Sequence, residues 1–181
     1  MRYDFKTKQF VEPNKSIDKL AIVGSDLEID WLTLQTKVEQ LSSIFKTLKI
    51  PAEHPVIIYG HKEAMFPLAI LACMNSTITY IPIDKIYPVE RIKKIIELTG
   101  AQIMMNCSDA VLNIDMPVVI NSNLEATIYK TPNYKDKIYG DVENPIQYIM
   151  FTSGSTGEPK GVQITYNSIL TFVLIFILFS L

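Results

Sequence analysis

Cysteine is scarce in this sequence, and its scarcity excludes two classes of protein. The two cysteines among 181 residues, Cys73 and Cys107, lie far apart, without the paired spacing of a zinc site or a disulfide framework. Such usage is typical of a reducing compartment. The N-terminal residues Met1 to Lys6 also lack the apolar stretch of a secretory signal. The sequence therefore predicts a cytoplasmic protein.

An excess of one charge is also missing. The chain has 17 basic and 19 acidic residues, which gives a formal net charge of −2. Surfaces that bind nucleic acid usually need a basic field, so this balance argues against nucleic acid as a partner. With 48% hydrophobic and 20% charged residues, the composition is that of a globular domain with a core. Disorder and coiled coil are poor descriptions of the whole chain.

The sequence has no apolar run of membrane-spanning length. The longest run, ILTFVLIFILFSL from Ile169 to Leu181, has only Thr171 and Ser180 as polar residues. A spanning helix needs roughly 17–25 apolar residues, whereas shorter runs are more often buried helices or interfacial segments. We therefore expect no membrane anchor, and a membrane-associated segment stays open as an alternative.

Strand and helix signals alternate along the chain. Asp30 is placed to cap a helix whose apolar face would comprise Leu34, Val38, Leu41, Phe45 and Leu48. Further helix signals cover Lys62 to Met74 and a segment that starts at Pro88 and ends at Gly100. The strand signals are Leu20 to Val23, Val56 to Tyr59, Thr79 to Ile81 with Pro82 at its end, Gln102 to Met105, and Val118 to Ile120.

These strands are apolar along their whole length rather than on alternate residues, which is typical of strands buried on both faces. The pattern predicts an α/β fold with a mostly parallel sheet flanked by helices. From Asn121 to Asn144 the composition becomes polar and turn-forming, so we expect a long surface connection without core residues. Ile146 to Phe151 then reads as another strand, which leads into a glycine-rich loop.

The glycine-rich loop carries the clearest chemical signal. Its glycines allow backbone conformations in which amide N–H groups point at an anion, while hydroxyl groups and one lysine add donors and positive charge. The residues predicted to bind a nucleotide phosphate are Thr152, Ser153, Gly154, Ser155, Thr156, Gly157 and Lys160. No residue of the chain is predicted to be catalytic or to bind a metal directly.

Three other interpretations of this loop fit its sequence less well. The Walker pattern fails because Lys160 is followed by Gly161 rather than by Ser or Thr. A serine nucleophile elbow fails because Glu158 stands where its second glycine would be required. A flexible Gly/Ser linker is disfavoured, since linkers seldom place Pro-Lys-Gly after a buried strand.

The sequence Thr152 to Gly161 instead resembles the phosphate-loop signature of the adenylate-forming superfamily. This superfamily includes acyl-CoA synthetases, adenylation domains of peptide synthetases and D-alanine:carrier-protein ligases. Thr79 to Asp84 and Pro88 to Ile92 resemble its Tyr-Val-Pro-Ile-Asp and Pro-x-x-Arg segments. The chain departs from the family at Thr77 and Thr79, where the family usually has glycines.

Two short segments make the chain most similar to the D-alanine:carrier-protein ligases: Tyr59-Gly60-His61, and the Lys-Gly-Val-Gln-Ile sequence from Lys160 to Ile164. His61 by itself is interpreted as a surface residue or the start of a helix rather than as a catalytic group. Arg91 is interpreted as a structural charge partner, and Tyr80 as a core residue.

The resemblance implies ATP and Mg²⁺ as cofactors, a small carboxylate, with D-alanine favoured, as substrate, and a phosphopantetheinyl carrier protein as partner. In the family the carboxylate is adenylated by ATP and the acyl group then passes to a thiol. The resemblance implies that residues 1–168 form the N-terminal portion of the AMP-binding domain. Residues 169–181 are expected to be an apolar tail at a truncated or frame-shifted end.

The family motifs that normally follow the loop, including the ribose site and the catalytic lysine, are not found in the sequence. We therefore expect an incomplete and inactive fragment of such a ligase. Two alternatives remain: a fragment of a peptide-synthetase adenylation domain or an acyl-CoA synthetase, and a non-catalytic or membrane-associated remnant.

Overall fold

The fold is an α/β arrangement built on one large sheet, seen in a computed structural model. The structure describes residues 2–4, 9–11, 19–51, 54–108, 110–134, 140–141, 144–153 and 158–179. Two small antiparallel pairs precede the sheet. They are β1 (Arg2–Asp4) with β2 (Gln9–Val11), and β3 (Leu20–Val23) with β4 (Glu28–Asp30).

The large sheet has eight strands within the described residues, and its central strands are parallel. Its strands are β5 (Val56–Gly60), β6 (Tyr80–Asp84), β7 (Ile103–Asn106), β8 (Val118–Ile120), β9 (Ala126–Ile128), β10 (Gly140–Asp141), β11 (Asn144–Ser153) and β12 (Pro159–Thr165). Their order is β10-β11-β6-β5-β7-β8-β9, and β12 pairs with β11. The neighbours from β11 to β8 are parallel, whereas β9, β10 and β12 pair antiparallel.

Four helices are described: α1 (Trp31–Thr47), α2 (Met65–Asn75), α3 (Val89–Thr99) and α4 (Tyr166–Phe179). The first begins as the sequence predicts, because the Asp30 carboxylate accepts a hydrogen bond from the Thr33 N–H at 2.7 Å. Its predicted apolar face is confirmed as well, except that Leu48 is the C-cap rather than a helical residue.

Successive side chains of β5 enter two separate cores. Val56 and Ile58 pack with helices α1 and α2, while Ile57 and Tyr59 pack with helix α3. A strand whose neighbouring residues point to opposite faces must be apolar throughout when both faces are covered. This arrangement confirms the predicted α/β fold with a mostly parallel sheet flanked by helices.

The predicted ends of α3 are confirmed, but the predicted end of the strand before it is wrong. Pro88 is the N-cap, and Gly100 is the C-cap, with a left-handed φ of 67° that favours glycine. Pro82 does not end β6, which continues to Asp84. The described ladder between β6 and β11 consists of the pair Tyr148↔Tyr80, so it does not extend to Pro82, which has no N–H to donate.

The segment predicted to be a long surface connection contributes to the fold. Within it, β9 adds an antiparallel strand to the edge of the sheet. Leu124 is only 5% exposed and belongs to the core on the α1–α2 face, and Tyr134 packs against the same core. The expectation that this segment carries no core residues is therefore wrong.

The sequence reading also missed β12, which follows the glycine-rich loop directly and pairs with β11. The helix expected after the loop begins only at Tyr166. It continues along the apolar run as far as Phe179, and Ile169 packs against the core while Phe172 is exposed. Within the described part of the chain, no helix combines the length and the apolar character needed to cross a membrane.

Candidate functional site

The carboxyl ends of the parallel strands meet at one edge of the sheet, where the chain turns in opposite directions. After β5 it enters α2, which packs on one face; after β6 it enters α3, which packs on the other. Because β6 and β7 lie on opposite sides of β5, the chain leaves β5 towards β6 but leaves β7 towards β8, so these connections diverge between β5 and β7. In open α/β sheets, ligands bind outside the carboxyl ends of strands at such a divergence.

The glycine-rich loop lies at this edge, because β11 runs parallel to β6. It connects two antiparallel strands, with Thr152 opposite Lys160 and Ser153 opposite Pro159. The element that follows the loop is thus the second strand of a hairpin, whereas a helix follows the loop of a Walker site. Of the predicted phosphate-binding residues, Gly154, Ser155, Thr156 and Gly157 lie outside the described residues.

The residues at the base of the hairpin are available to a ligand. Thr152 and Lys160 are exposed, and among the described residues the Thr152 hydroxyl makes only a long hydrogen bond of 3.5 Å to the Lys160 carbonyl. The exit of the loop is attached to α3 by an ion pair of 2.8 Å between Lys94 Nζ and Glu158 Oε1. The hydroxyl and the ammonium group therefore stand at the base of a loop whose two ends are fixed by neighbouring elements.

Gly161 is required for close packing of this hairpin. A Cβ atom at this position would lie 2.9 Å from Ile149 Cγ2 and 3.0 Å from Phe151 Cζ, both in buried side chains of β11. The absence of a side chain lets β12 lie flat across β11. Gly161 is therefore needed for the close pairing of β12, the strand that follows the loop, with β11.

Two side-chain contacts join the turns after β5 and β6. His61 Nδ1 lies 2.6 Å from Asp84 Oδ2, and Lys85 Nζ lies 2.5 Å from Glu63 Oε1. The backbone N–H of His61 donates a further hydrogen bond of 2.6 Å to Glu63 Oε2. The Glu63 side chain is 8% exposed, whereas that of Lys85 is 42% exposed, so the pair connects the interior to the surface.

The electrostatics of Glu63 reflect two opposing effects. Burial is the strongest influence and alone would raise the pKa of the carboxyl group, but the hydrogen bonds from Lys85 and from the His61 N–H lower the pKa below its ordinary value. The hydrogen bond to Glu63 in turn raises the pKa of Lys85. Glu63 is therefore a buried carboxylate whose ionised form is stabilised by Lys85 and by the His61 N–H.

The sequence did not single out Glu63 and Lys85. Their positions were the one indication in the sequence. Each residue follows a strand that was predicted to lie in a parallel sheet, and the carboxyl ends of such strands lie at the same edge. What the sequence could not show was that β5 and β6 are neighbours in register, with Gly60 opposite Asp84.

The other residues interpreted from the sequence have mixed outcomes. His61 is an exposed residue shortly before α2, as predicted, and Tyr80 is a buried core residue that stacks on Tyr148 at 5.4 Å. Arg91 was expected to pair with a charge, but its guanidinium group lies over the Tyr87 ring, with Cζ 4.3 Å from the centroid. Within the described residues it forms no ion pair with a carboxylate.

Both cysteines are free and buried, and burial raises the pKa of each thiol. Neither is therefore a reactive thiolate. The part of the chain that the structure describes contains no group of three or more His, Cys, Asp or Glu residues that could hold a metal ion.

Comparison with known proteins agrees with this arrangement. The family model described as "AMP-binding enzyme" matches residues 10–179, so the chain belongs to the AMP-binding enzyme family. The sequence is 33% identical over 159 residues to a D-alanine--D-alanyl carrier protein ligase of Bacillus anthracis (strain CDC 684 / NRRL 3495). It is 35% identical over 161 residues to the protein of the same name from Bacillus cereus (strain AH187).

These matches cover 86% of this chain but only 31% of each relative, so the chain spans about a third of the length of the curated relatives it matches. Solved structures with the same fold include that of CmiS6, with a TM-score of 0.68 and 20% identity over 87% of this chain and 39% of that one. A four-domain nonribosomal peptide synthetase bound to AMP and glycine matches with a TM-score of 0.65 and 24% identity, over 87% of this chain and 11% of that one.

Proposed function

We propose that this chain provides the phosphate-binding part of an enzyme that adenylates a small carboxylate with ATP, with D-alanine as the favoured substrate. The acyl group would then pass to the phosphopantetheine thiol of a carrier protein. The observation that supports this proposal most strongly is the position of the glycine-rich hairpin, at the carboxyl edge of a parallel sheet in a member of the AMP-binding enzyme family.

The proposed reaction needs little covalent chemistry from the protein. A carboxylate oxygen of the substrate forms a bond to the α-phosphorus of ATP, and the bond from that phosphorus to the oxygen bridging to the β-phosphate breaks. Pyrophosphate leaves with the electron pair of that bond. The task of this chain is to hold the phosphates through the loop amides, the Thr152 hydroxyl and the Lys160 ammonium group.

Mg²⁺ would neutralise part of the phosphate charge when bound. The hard oxygen of Thr152 at the base of the loop is of the kind that Mg²⁺ accepts, whereas the two buried thiols are not. We assign no direct metal ligand, because Mg²⁺ commonly binds through substrate phosphates and water.

D-alanine is favoured for two reasons. Two of the relatives reported above are D-alanine--D-alanyl carrier protein ligases. The segments Tyr59–His61 and Lys160–Ile164 also make the sequence most similar to ligases of that kind. Adenylation of another amino acid is the alternative, since the fold is shared with peptide-synthetase structures.

We further propose that residues 1–168 belong to the AMP-binding domain and that 169–181 form an apolar tail. A polypeptide of these 181 residues, tested by itself, should bind ATP with a dissociation constant of about 1 mM or weaker. The reason is that each charge-assisted hydrogen bond contributes about 1.5–3 kcal/mol, while association costs about 4–15 kcal/mol. Such binding would be too weak to support turnover.

The test uses a chimera in which residues 10–165 replace the matching segment of the Bacillus cereus ligase. ATP–pyrophosphate exchange would be measured with D-alanine, L-alanine and a fatty acid, each with Mg²⁺ and after its removal with EDTA. We expect Mg²⁺-dependent exchange with D-alanine, strongly reduced by Lys160→Gln. A folded chimera that gives no exchange with any substrate would contradict the adenylation proposal, and exchange with L-alanine alone would contradict the substrate assignment.

A further inference from the structure

A cavity lies at the carboxyl edge of the sheet, apart from the glycine-rich loop. It has a volume of about 570 Å³, within the range of roughly 300–1,000 Å³ that is usual for small-molecule sites. None of the described residues of the hairpin lines it. Its lining comes mainly from turns that follow parallel strands, together with the β3–β4 turn and helix α1: Ser25, Asp26, Leu27, Lys37, Glu63, Lys85, Cys107, Ser108, Ser122 and Asn123 are among its residues.

The charges around this cavity fall into two groups. Glu63 and Lys85 neutralise each other in the ion pair already described. Asp26 and Lys37 are a carboxylate and an ammonium group that face the same space, yet they form no ion pair with each other. Within the described residues Lys37 has no hydrogen-bond or ion-pair partner, although it is partly buried.

Asp26 is held in place while one of its oxygens stays available. Its Oδ1 atom accepts hydrogen bonds from the Leu27 N–H at 2.9 Å and from the Ala64 N–H at 2.8 Å. The described contacts leave Oδ2 without a donor. Asp26 is thus fixed against the turn before α2 by one oxygen and can accept a ligand donor with the other.

We infer that this cavity binds a small zwitterion, a molecule with one ammonium and one carboxylate group, such as a free amino acid or a short peptide. The ammonium group of the ligand would contact Asp26, and its carboxylate would contact Lys37. A single charge would satisfy only one of these groups, and the nearby hydroxyl and amide side chains of Ser122 and Asn123 can take further hydrogen bonds. This inference does not depend on the proposed adenylation.

The test is a titration of the full chain followed by ¹H–¹⁵N NMR without ATP. The probes are glycine, D-alanine and diglycine, compared with propionate and ethylammonium, which carry one charge each. We expect saturable shifts of cavity amides such as those of Ser25 and Ser122 with at least one zwitterion. Each singly charged analogue should bind at least about 10-fold more weakly.

Substitutions of the two charged residues test whether the zwitterion binds in this cavity. Lys37→Gln and Asp26→Asn should each weaken binding of the zwitterion at least about 10-fold, and Asp26→Asn retains the Oδ1 acceptor that holds the turn. Lys37→Arg should retain binding because it keeps the charge. Lys46→Gln, on the exposed surface of the same helix, is the matched control and should leave the affinity for the zwitterion unchanged.

The inference would be overturned by the absence of a saturable shift with any zwitterion, by equal binding of propionate and D-alanine, or by unchanged binding in both Lys37→Gln and Asp26→Asn. Shifts confined to the glycine-rich hairpin would also overturn it, because they would place the ligand elsewhere. None of these results would affect the exchange experiment on the chimera, so the two proposals fail separately.

Discussion

Lys85 donates a hydrogen bond from Nζ to Glu63 Oε1 at 2.5 Å, and this contact joins the turns after two neighbouring parallel strands. The carboxylate is the buried member of the pair. Substitution of Glu63 and substitution of Lys85 should therefore have different effects on stability. Without Lys85, a buried carboxylate would remain uncompensated, whereas without Glu63 the partly exposed lysine would turn to water.

This difference predicts how stability depends on pH. The pKa of Glu63 is lower in the folded chain than in the unfolded chain, so its contribution to stability is complete above its ordinary pKa of 4.5 and is lost as the pH falls through the folded value. Glu63→Gln should remove this acid dependence. In Lys85→Met, the pKa of Glu63 should rise towards its ordinary value, because the hydrogen bond and charge of Lys85 that lower it are gone, so the loss of stability in acid should be smaller. Urea unfolding from pH 3 to pH 7 measures both effects.

The matched control for this pair is Lys93→Met, which breaks an exposed ion pair with Glu90 on α3. Its pH dependence should follow that of the unmodified chain, because exposed pairs contribute little. If the stability of Glu63→Gln falls in acid as steeply as that of the unmodified chain, then carboxylates other than Glu63 cause the loss of stability.

His54 predicts a second loss of stability in acid. The residue is 5% exposed, and burial lowers the pKa of its imidazole from 6.5 to about 4. Because the unfolded chain takes up a proton first, His54 destabilises the fold as the pH falls from 6.5 towards 4, by about 3 kcal/mol between pH 7 and pH 4. The imidazole resonances should titrate near pH 4. His54→Phe should remove this part of the acid dependence and retain the edge-on contact with Tyr134, whose ring centroid lies 4.7 Å away.

A normal titration of His54 near pH 6.5 would contradict the burial on which this prediction rests. Comparison with Glu63→Gln separates the two acid effects, because the histidine acts mainly above pH 4 and the carboxylate mainly below its ordinary pKa.

Gly161→Ala should destabilise the hairpin. The added Cβ would approach Ile149 and Phe151 too closely, and because both are buried, relief requires a shift of β12. We expect a decrease in the free energy of unfolding of about 1–3 kcal/mol, measured by chemical denaturation. The control is Gln163→Ala, an exposed position on the same strand, which should change stability by less than about 0.5 kcal/mol. Equal effects at the two positions would show that close packing at Gly161 is not the cause.

Self-association should depend on the exposed side of α4. Phe172 is 70% exposed, whereas Ile169 packs against the core. Phe172→Lys should therefore reduce aggregation with a change in stability within about 0.5 kcal/mol, and Ile169→Lys should destabilise the fold by about 1–3 kcal/mol. Light scattering and thermal unfolding distinguish these effects. If Phe172→Lys aggregates as much as the unmodified chain, the surface responsible for self-association lies elsewhere.

The sequence predicted best those features that depend on a few neighbouring residues. Asp30 caps a helix through the N–H of Thr33, and Gly100 ends one because a left-handed residue is needed there. The apolar runs of β5 and β7 were recognised because a strand buried on both faces leaves no room for polar residues. The family resemblance, carried by the glycine-rich loop, was confirmed by the match to the AMP-binding enzyme family.

Features that depend on distant residues were missed. The segment Pro159–Thr165 contains a proline and a glycine, which are poor strand formers, and it becomes β12 because the long strand β11 offers it an edge. Pro82 was read as the end of a strand, but the described ladder with β11 stops before it. The pair Glu63–Lys85 required the register of β5 and β6, which no local pattern contains.

The hairpin has a consequence for protein engineering. Because Thr152 is paired with Lys160 and Ser153 with Pro159, the two ends of the glycine-rich loop are held together by the sheet itself. Closing a loop between fixed neighbouring ends costs little entropy, and the cost grows slowly with length. We therefore expect that residues 154–157 can be exchanged as a cassette among related enzymes, which would allow the proposed phosphate recognition to be varied while the scaffold, including the Lys94–Glu158 ion pair, is kept constant.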